Sequence, residues 1–572
     1  MVIASAEMTG VSGRRWQLRG RFPDGELASA PHQPLVRHLL WHRGVRTAAE
    51  AAVFMDAADP HHNPLDLPDI EPAINRLRRA IDSGELIAIY GDFDVDGVTS
   101  SAILLEALGD LGARAVSYIP DRFEEGYGVN VAAIEQLARD GAGLIVTADC
   151  GTSSRDEIAA AAALGVETIV IDHHTVPPEL PNAVAVVNPK RADSRYPEPE
   201  LATGGLAFRV MQALYASLGR EFDPAQYLDL VALSTVCDMA PLRGENRWLV
   251  REGLREMAKA RRPGLRAMFE TAGTDPAQAN ADTIGYTLGP RLNAAGRLRH
   301  GRLALELLLE RDEDRARERA LELGALNTER QQATADAMDL AKELLAKEPP
   351  DAPLILIGHE DIPSGIVGLV AGRLCEQYNR PAVVYERGAE TSRASCRSIP
   401  EFDITGALRN CAPLLVRFGG HRAAAGFTTE NANLDALREG LVAQAADVLR
   451  DVDLTPVLPI DAAIPLHRVN ASLIRSLTGM APFGVGNDEP VFLSRNLEVV
   501  DFRLMGGDGE HLRLTLRDRD GTRAVAWPAV AFGMGATEPV VGEHLDAVYT
   551  FCADRGADGA LELRIVDFRK GG

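Results

Sequence analysis

The chain has 572 residues, of which 46% are hydrophobic and 25% charged, which excludes whole-chain disorder and leaves room for several buried cores. No stretch approaches the roughly 18 consecutive apolar residues that a membrane span needs, and the first twenty residues lack the apolar run of a secretory signal. The balance of 60 basic against 82 acidic residues, net −22, does not exclude nucleic acid, because binding depends on a local basic groove.

Residues 1–80 carry scattered Pro and His, with a helical pattern from Thr47 to Asp59. From Glu85 the pattern changes. Leu86–Tyr90, Ala113–Ile119, Gly143–Thr147 and Glu167–Ile171 read as strands, alternating with helical stretches at Val98–Leu111, Val131–Arg139 and Arg155–Leu164. That alternation predicts βαβ units and a parallel sheet. Leu201–Lys347 is mostly helical, and Leu303–Lys347 reads as one long connecting helix stopped by Pro349-Pro350. A second α/β unit begins at Pro353. Five short stretches, Asn496–Leu504, His511–Arg517, Ala524–Ala526, Glu543–Phe551 and Leu561–Phe568, predict an all-β module of the OB type.

Chemistry concentrates after the apolar runs. Asp92, Asp94 and Asp96 alternate directly after the first strand, and an extended chain would turn all three to one side. Three carboxylates so close are costly unless cations neutralise them. The spacing also opens an EF-hand loop, but position 12 is Ile103, where that loop needs Glu. Asp149 ends a second apolar run, Asp172-His173-His174 a third, and Val231–Cys237 leads into Asp238 as a fourth, also read as a strand end. An Asp in such a place can equally cap the next helix, and that reading stays open for Asp149 and Asp238 taken singly. His61-His62 has no apolar strand before it and reads as a structural or surface pair. Converging carboxylates and His suit two hard cations, Mn²⁺ or Mg²⁺, for cleaving a phosphate ester. The six cysteines form no CxxC pair, which argues against zinc or a disulfide framework and for a reducing, cytoplasmic setting. No GxxxxGK[ST] occurs, so an NTP-driven motor is not indicated.

Together, Asp92–Gly97, Asp149, Asp172-His173-His174 and Asp238 resemble the motifs of the DHH phosphoesterase family. Ser364–Arg373, Ser395–Ile399 and Gly419–Gly426 resemble its DHHA1 partner domain. Ile119–Gly128, Gly289–Arg297 and Pro482–Asn487 are similar to the RecJ exonuclease branch, and the likeness covers roughly residues 80 to 572. It departs from that branch at Ile362-Pro363, where a Trp-His pair is usual, and in lacking an aromatic around Ala553–Ala560. The resemblance implies a 5′→3′ exonuclease that degrades single-stranded DNA to mononucleotides with two Mn²⁺ or Mg²⁺ ions, in DNA repair and recombination. It implies catalytic roles for Asp94, Asp96, Asp149, His173, His174 and Asp238. It implies metal ligation by Asp92, Asp94, Asp96, Asp149, His173 and Asp238, with Asp92 and Asp172 as ligands or orienters. It implies DNA contacts from Arg122, Arg291, Asn293, Arg297, Ser395, Arg397, Gly420 and His421, with Arg397 and Ser395 gripping a 5′-phosphate. A single-strand-binding protein and a repair helicase are the implied protein partners of a monomeric enzyme.

The expected organisation is an N-terminal extension packing on the core (1–80), a parallel-sheet DHH domain (81–300), a connecting helix (301–350), a smaller α/β DHHA1 domain (351–452) and an OB-like domain (453–572). The competing readings are a phosphodiesterase of small nucleotides, which the extra β module argues against, and a non-catalytic scaffold, which the full ligand set argues against.

Overall fold

A computed structural model describes residues 8–23, 25–56, 59–126, 128–347, 352–520, 523–553 and 561–571. The chain divides into two compact units, Asp59–Val452 and a second made of Met1–Ala58 with Asp453–Gly572.

In the first unit, strands β1 (Leu86–Gly91), β2 (Arg114–Tyr118), β3 (Ala142–Ala148), β4 (Glu167–Ile171) and β5 (Ala185–Val187) form one sheet. All are parallel, in the order β2-β1-β3-β4-β5. Successive residues alternate between two cores. Ile87, Ile89, Leu144, Val146, Ile169 and Ile171 join a large core with helices α1 (Val95–Asp110), α4 (Thr203–Ser217) and α5 (Leu228–Cys237). Ala88, Tyr90 and Ile145 meet α2 (Val131–Arg139) and α3 (Arg155–Ala163) on the other side. Burial on both faces explains why these strands read as unbroken apolar runs.

Register brings the strand ends together. Gly91 pairs with Ala148, Ala148 with Ile171, and Ile171 with Val187. The next residues, Asp92, Asp149, Asp172 and Asn188, therefore leave the sheet side by side. The chain moves to one side of β1 for β2 and to the other for β3, so Asp92 and Asp149 flank the switch point where sheets of this kind bind ligands.

Helix α6 (Gly289–Leu298) precedes α7 (Arg302–Leu309) and α8 (Glu313–Leu345). The long connecting helix expected from 303 is thus two helices. The break falls at Glu310–Asp312, where the Asp312 carboxylate accepts the Arg315 N–H at 3.0 Å and caps the second. Next come β6 (Ile355–His359), α9 (Val367–Tyr378), β7 (Ala382–Arg387), β8 (Thr391–Arg397), β9 (Arg417–His421) and β10 (Ala424–Glu430), with sheet order β9-β10-β8-β7-β6. Only β6 and β7 pair in parallel.

The second unit holds β11 (Phe492–Met505), β12 (His511–Asp520), β13 (Arg523–Ala531), β14 (His544–Ala553) and β15 (Leu561–Lys570). Their order β11-β12-β13-β15-β14 closes through β11–β14 pairing, the barrel topology of an OB fold. Val36, Leu39 and Leu40 of helix Pro34–His42 lie in the core of this barrel module.

The boundary expected near residue 80 moves accordingly. Leu67, Ile70, Ile74 and Leu77 belong to the parallel-sheet core, whereas residues up to 58 belong with the barrel. His62 is structural, as read from sequence. Its Nδ1 lies 2.9 Å from Glu245 Oε2, in a buried network with Tyr196 and Arg209.

Candidate metal centre and cleft

Asp92 leaves β1 in a tight loop against α1, where a side chain at Gly97 would come within 2.5 Å of the Asp92 backbone. The extended run expected for Asp92, Asp94 and Asp96 does not form. Asp94 caps α1, its Oδ1 accepting the N–H groups of Asp96 and Gly97 at 2.9 and 3.2 Å, and Asp96 lies in the first helical turn. Helix geometry, not strand alternation, aims these two carboxylates. Asp238 likewise follows a helix, α5, as its C-terminal cap rather than a strand end. The stretch Val231–Cys237 is apolar because α5 is buried in the main core.

Asp96 is gripped by α4 and α5. Its carboxylate accepts the N–H groups of Thr203 (2.8 Å) and Gly204 (3.0 Å) at the start of α4 and the Ser234 hydroxyl (2.5 Å). Thr203 Oγ1 also donates to Asp149 Oδ1 at 3.1 Å. Asp149 itself has φ of 67°, a conformation that a residue with a side chain adopts at some cost and that clusters at functional sites. Asp172 does not offer itself as a ligand. Its carboxylate accepts the N–H groups of Thr152, His173 and His174 and lies 2.7 Å from His174 Nδ1, so it orients the imidazole. Asn188, from the neighbouring strand end, donates to Thr152 Oγ1 and to the His174 carbonyl. Sequence reading missed Thr203, Ser234, Thr152 and Asn188. The Thr203-Gly204-Gly205 run was their only local sign.

Three groups of donor atoms, each within 4.8 Å of one another, occur among the described residues: Asp92–Asp94–Asp149, Asp149–His173–His174 and Asp96–His173–Asp238. Asp149 and His173 each belong to two of them, the pattern of a pair of adjacent ions. His173 Nε2 lies 3.4, 3.6 and 3.9 Å from carboxylate oxygens of Asp149, Asp238 and Asp96. That atom and Asp92 Oδ1 are buried without a hydrogen-bond partner. Burial, with repulsion from Asp94, raises the Asp92 carboxyl well above the usual range. Burial with repulsion from Asp96, Asp94 and Asp92 does the same to Asp149. Asp238 is pushed up to about 8 by burial and by Asp96 and Asp94. Burial lowers His173, keeping a ring nitrogen available as a donor. Burial acts against protonation of His174 too, but its hydrogen bond to Asp172 prevails and raises it to about 9. Crowded, buried carboxylates with two unsatisfied donor atoms fit hard divalent cations such as Mn²⁺ and Mg²⁺.

Beside this cluster a cleft of about 1030 Å³ runs between the parallel sheet and the second sheet. Arg122, Asp172, His174, Ser395, Gly420 and His421 line it, with Arg393 and Arg417, which the sequence did not single out. His421 Nε2 lies 3.1 Å from Thr175 Oγ1, and Arg393 donates to the Phe123 carbonyl at 3.1 Å. Gly420, at φ of 140°, allows the tight β9–β10 pairing, since a side chain there would lie 2.4 Å from the Ala424 carbonyl oxygen. Arg397 sits behind the lining and donates to Ser395 Oγ at 3.2 Å. Arg297 reaches the Gly365 carbonyl at 3.4 Å, and the Arg122 guanidinium lies over the Phe93 ring at 4.9 Å. Burial lowers Arg122, Arg297 and Arg397 alike, and for Arg122 and Arg297 repulsion from neighbouring arginines adds to it. Cations crowded this way favour an anion between them. Arg291, Asn293 and Arg297 all lie on α6, and none of the three lines the cleft. Ile362 is buried. Most of the segment Ala553–Ala560 lies outside the described residues.

A parallel sheet delivering Asp and His to a metal-binding edge, facing a second domain across an arginine-lined cleft, defines a metal-dependent phosphoesterase of the DHH class. Comparison agrees. The DHH family N-terminal domain matches residues 86–235, the DHHA1 domain 351–448 and the RecJ OB domain 460–566. The single-stranded-DNA-specific exonuclease RecJ of Dickeya dadantii is 35% identical over 528 residues, 88% of this chain and 90% of that protein. That of Bacillus subtilis is 36% identical over 516 residues, 89% of this chain but 65% of that longer protein. A crystal structure of RecJ with Mn²⁺ from Thermus thermophilus matches with a TM-score of 0.82 and 29% identity, covering 97% of this chain and 80% of that one. The chain belongs to the RecJ family of single-stranded-DNA-specific exonucleases.

Proposed function

We propose that this chain hydrolyses single-stranded DNA from the 5′ end, releasing mononucleotides. The observation that carries the reading is the sharing of Asp149 and His173 between adjacent donor groups beside a cleft walled by arginines. The ligands in this reading are Asp92, Asp94, Asp96, Asp149, His173 and Asp238. Divalent cations held there would supply a water of lowered pKa and Lewis acidity toward the phosphate. His174, oriented by its 2.7 Å hydrogen bond to Asp172, lines the cleft and serves as a metal contact or as a contact to a scissile phosphate oxygen. Arg122, Ser395 and Arg397 take the terminal phosphate, with Gly420 and His421 closing the pocket from β9. A terminal anion bound a set distance from the ligands would set both the polarity and the one-nucleotide product. Arg291, Asn293 and Arg297 hold the backbone along α6. The barrel grips the remaining strand, as OB folds do with single-stranded nucleic acid. In keeping with the family, the reading extends to a cytoplasmic monomer acting in repair and recombination, beside a single-strand-binding protein and a helicase.

The test compares 5′- and 3′-labelled single strands with Mn²⁺, against duplex, for the native protein and Arg397→Ala. Mononucleotides from the 5′ end of the single strand alone are expected. The variant should lose about ten- to a hundred-fold in kcat/KM on a 5′-phosphorylated strand, for one charge-assisted contact of ~1.5–3 kcal/mol, and much less on a 5′-hydroxyl strand. Equal losses would make Arg397 a general backbone contact, and release from the 3′ end would overturn the polarity.

A further inference from the structure

Residues 119–130 carry the chain from β2 to α2, and Arg122 stands on this loop. Its guanidinium lies over the Phe93 ring, and no hydrogen bond or ion pair from another described residue holds it. Where that charge stands is therefore set by the backbone that carries it.

The backbone winds around Asp121. The Asp121 carbonyl accepts the N–H groups of Glu125 at 2.9 Å and Gly126 at 3.2 Å. Its carboxylate accepts those of Phe123 at 2.7 Å and Glu124 at 3.1 Å. Glu125 ties this turn to the parallel-sheet layer. Its Oε1 accepts the Asp121 N–H at 2.7 Å, and its Oε2 accepts the Tyr118 hydroxyl at 2.7 Å and an Asn130 amide hydrogen at 2.6 Å. Tyr118 is the last residue of β2, and Asn130 caps α2 by accepting the Ala133 N–H at 2.7 Å. One carboxylate thus fastens the residue before Arg122 to the end of a strand and the start of a helix.

The anchors are themselves fixed. Asn130 also donates to the Tyr90 hydroxyl at 3.0 Å, which donates to the Gly128 carbonyl at 3.1 Å, and the Tyr90 and Tyr118 rings stack at 5.2 Å. Burial and the Glu125 charge raise the Tyr118 phenol above its ordinary value, so it stays a donor. From the second sheet, Arg393 donates to the Phe123 carbonyl, and a side chain at Gly126 would lie 3.7 Å from Arg417. A carboxylate with three donors also stabilises a fold. What separates that role from a functional one is whether its loss acts through Arg122.

We infer that Glu125 is a positioning residue that sets the preference for a phosphorylated 5′ end, by holding the Arg122 guanidinium where the terminal phosphate binds. This rests on the 5′-end reading of the cleft. In Glu125→Gln the side chain keeps its shape but has one acceptor oxygen and an NH₂ group. With that oxygen left to Tyr118 and Asn130, the NH₂ faces the Asp121 N–H, donor against donor, and the turn carrying Arg122 shifts.

The test is a double-mutant cycle of Glu125→Gln and Arg122→Ala, reading kcat/KM on 5′-phosphorylated and 5′-hydroxyl single strands at one fixed salt. Glu125→Gln should lose about ten- to a hundred-fold on the phosphorylated strand, the scale of a small misplacement of a binding group. It should lose little on the hydroxyl strand, and nothing further where Arg122 is already replaced. Mn²⁺ affinity should stay native, since no candidate ligand is touched. Tyr118→Phe removes one of the three donors and keeps the ring stack. It should show a smaller loss with the same pattern, and it carries the test if Glu125→Gln does not fold. Equal losses on both strands, or a loss that persists in the Arg122→Ala background, would overturn the positioning role. A native protein that cuts both strands equally would overturn the reading beneath it.

Discussion

Ser234 is fully buried behind Asp96, which makes it the place to probe how the fold would set metal affinity. Its hydroxyl donates to Asp96 Oδ1 at 2.5 Å and accepts the Gly204 N–H at 3.1 Å. In Ser234→Ala, Asp96 keeps the two backbone N–H bonds from Thr203 and Gly204 but loses the third donor. Gly204 keeps Asp96 as acceptor, so no buried N–H is orphaned and the fold should survive. A hydrogen bond to a charged group contributes ~1.5–3 kcal/mol. With two of three donors left, the lower half of that range applies, about ten- to forty-five-fold in affinity. Ligand-orienting partners of metal sites typically show such losses. Calorimetric Mn²⁺ titration of the metal-stripped variant should show this weakening. At saturating Mn²⁺, kcat should return to within a few-fold of native. Unchanged affinity would refute the idea that Asp96 depends on its α5 donor. A kcat that saturating metal does not restore would show that Ser234 acts in the chemical step instead.

His173→Ala and Asp149→Asn should each cut turnover by several orders of magnitude while far-UV circular dichroism stays native, because each deletes a donor shared by two groups; near-native turnover would remove the residue from the ligand set. Mn²⁺ affinity should rise from pH 6 toward 8, because Asp238, held up to about 8, must give up its proton to bind. Calorimetry at pH 7 in buffers of different ionisation enthalpy should therefore read net proton release on binding, from Asp238 and from the likewise raised Asp92 and Asp149. Raised above its unfolded value, the Asp238 carboxyl costs the metal-free protein no stability below about pH 4 and its full cost above about pH 8. The metal-free melting temperature should fall as pH rises through that window, and a flat profile would contradict it. The fragment 59–452 should fold alone and cut short oligonucleotides but bind long strands weakly, as its core is self-contained. Deleting only residues 1–58 should leave an aggregating protein. Burying Val36, Leu39 and Leu40 contributes about 5–9 kcal/mol, most of a domain's net stability. A sharp, reversible melt of that deletion would count against the shared core.

The candidate ligands were legible because each is written locally. A doubly buried strand must be an apolar run, and an Asp directly after it must sit at the sheet's edge. That logic served for Asp92, Asp149 and Asp172-His173-His174, and for the barrel, whose strands alternate between Gly and Asp turns. It misread Asp94, Asp96 and Asp238, because a buried helix and a buried strand look alike over so short a run. The partners that hold these carboxylates were out of reach. Thr203 and Ser234 meet Asp96 across 107 and 138 residues of chain, and a Ser or Thr acquires such a role only from whatever packing places beside it. The same limit hid the assignment of residues 8–56 to the barrel. Local patterns record what a residue needs from its neighbours in sequence, burial and turn geometry above all. Which distant groups come within hydrogen-bonding reach is decided by register and helix packing, which depend on the whole chain at once.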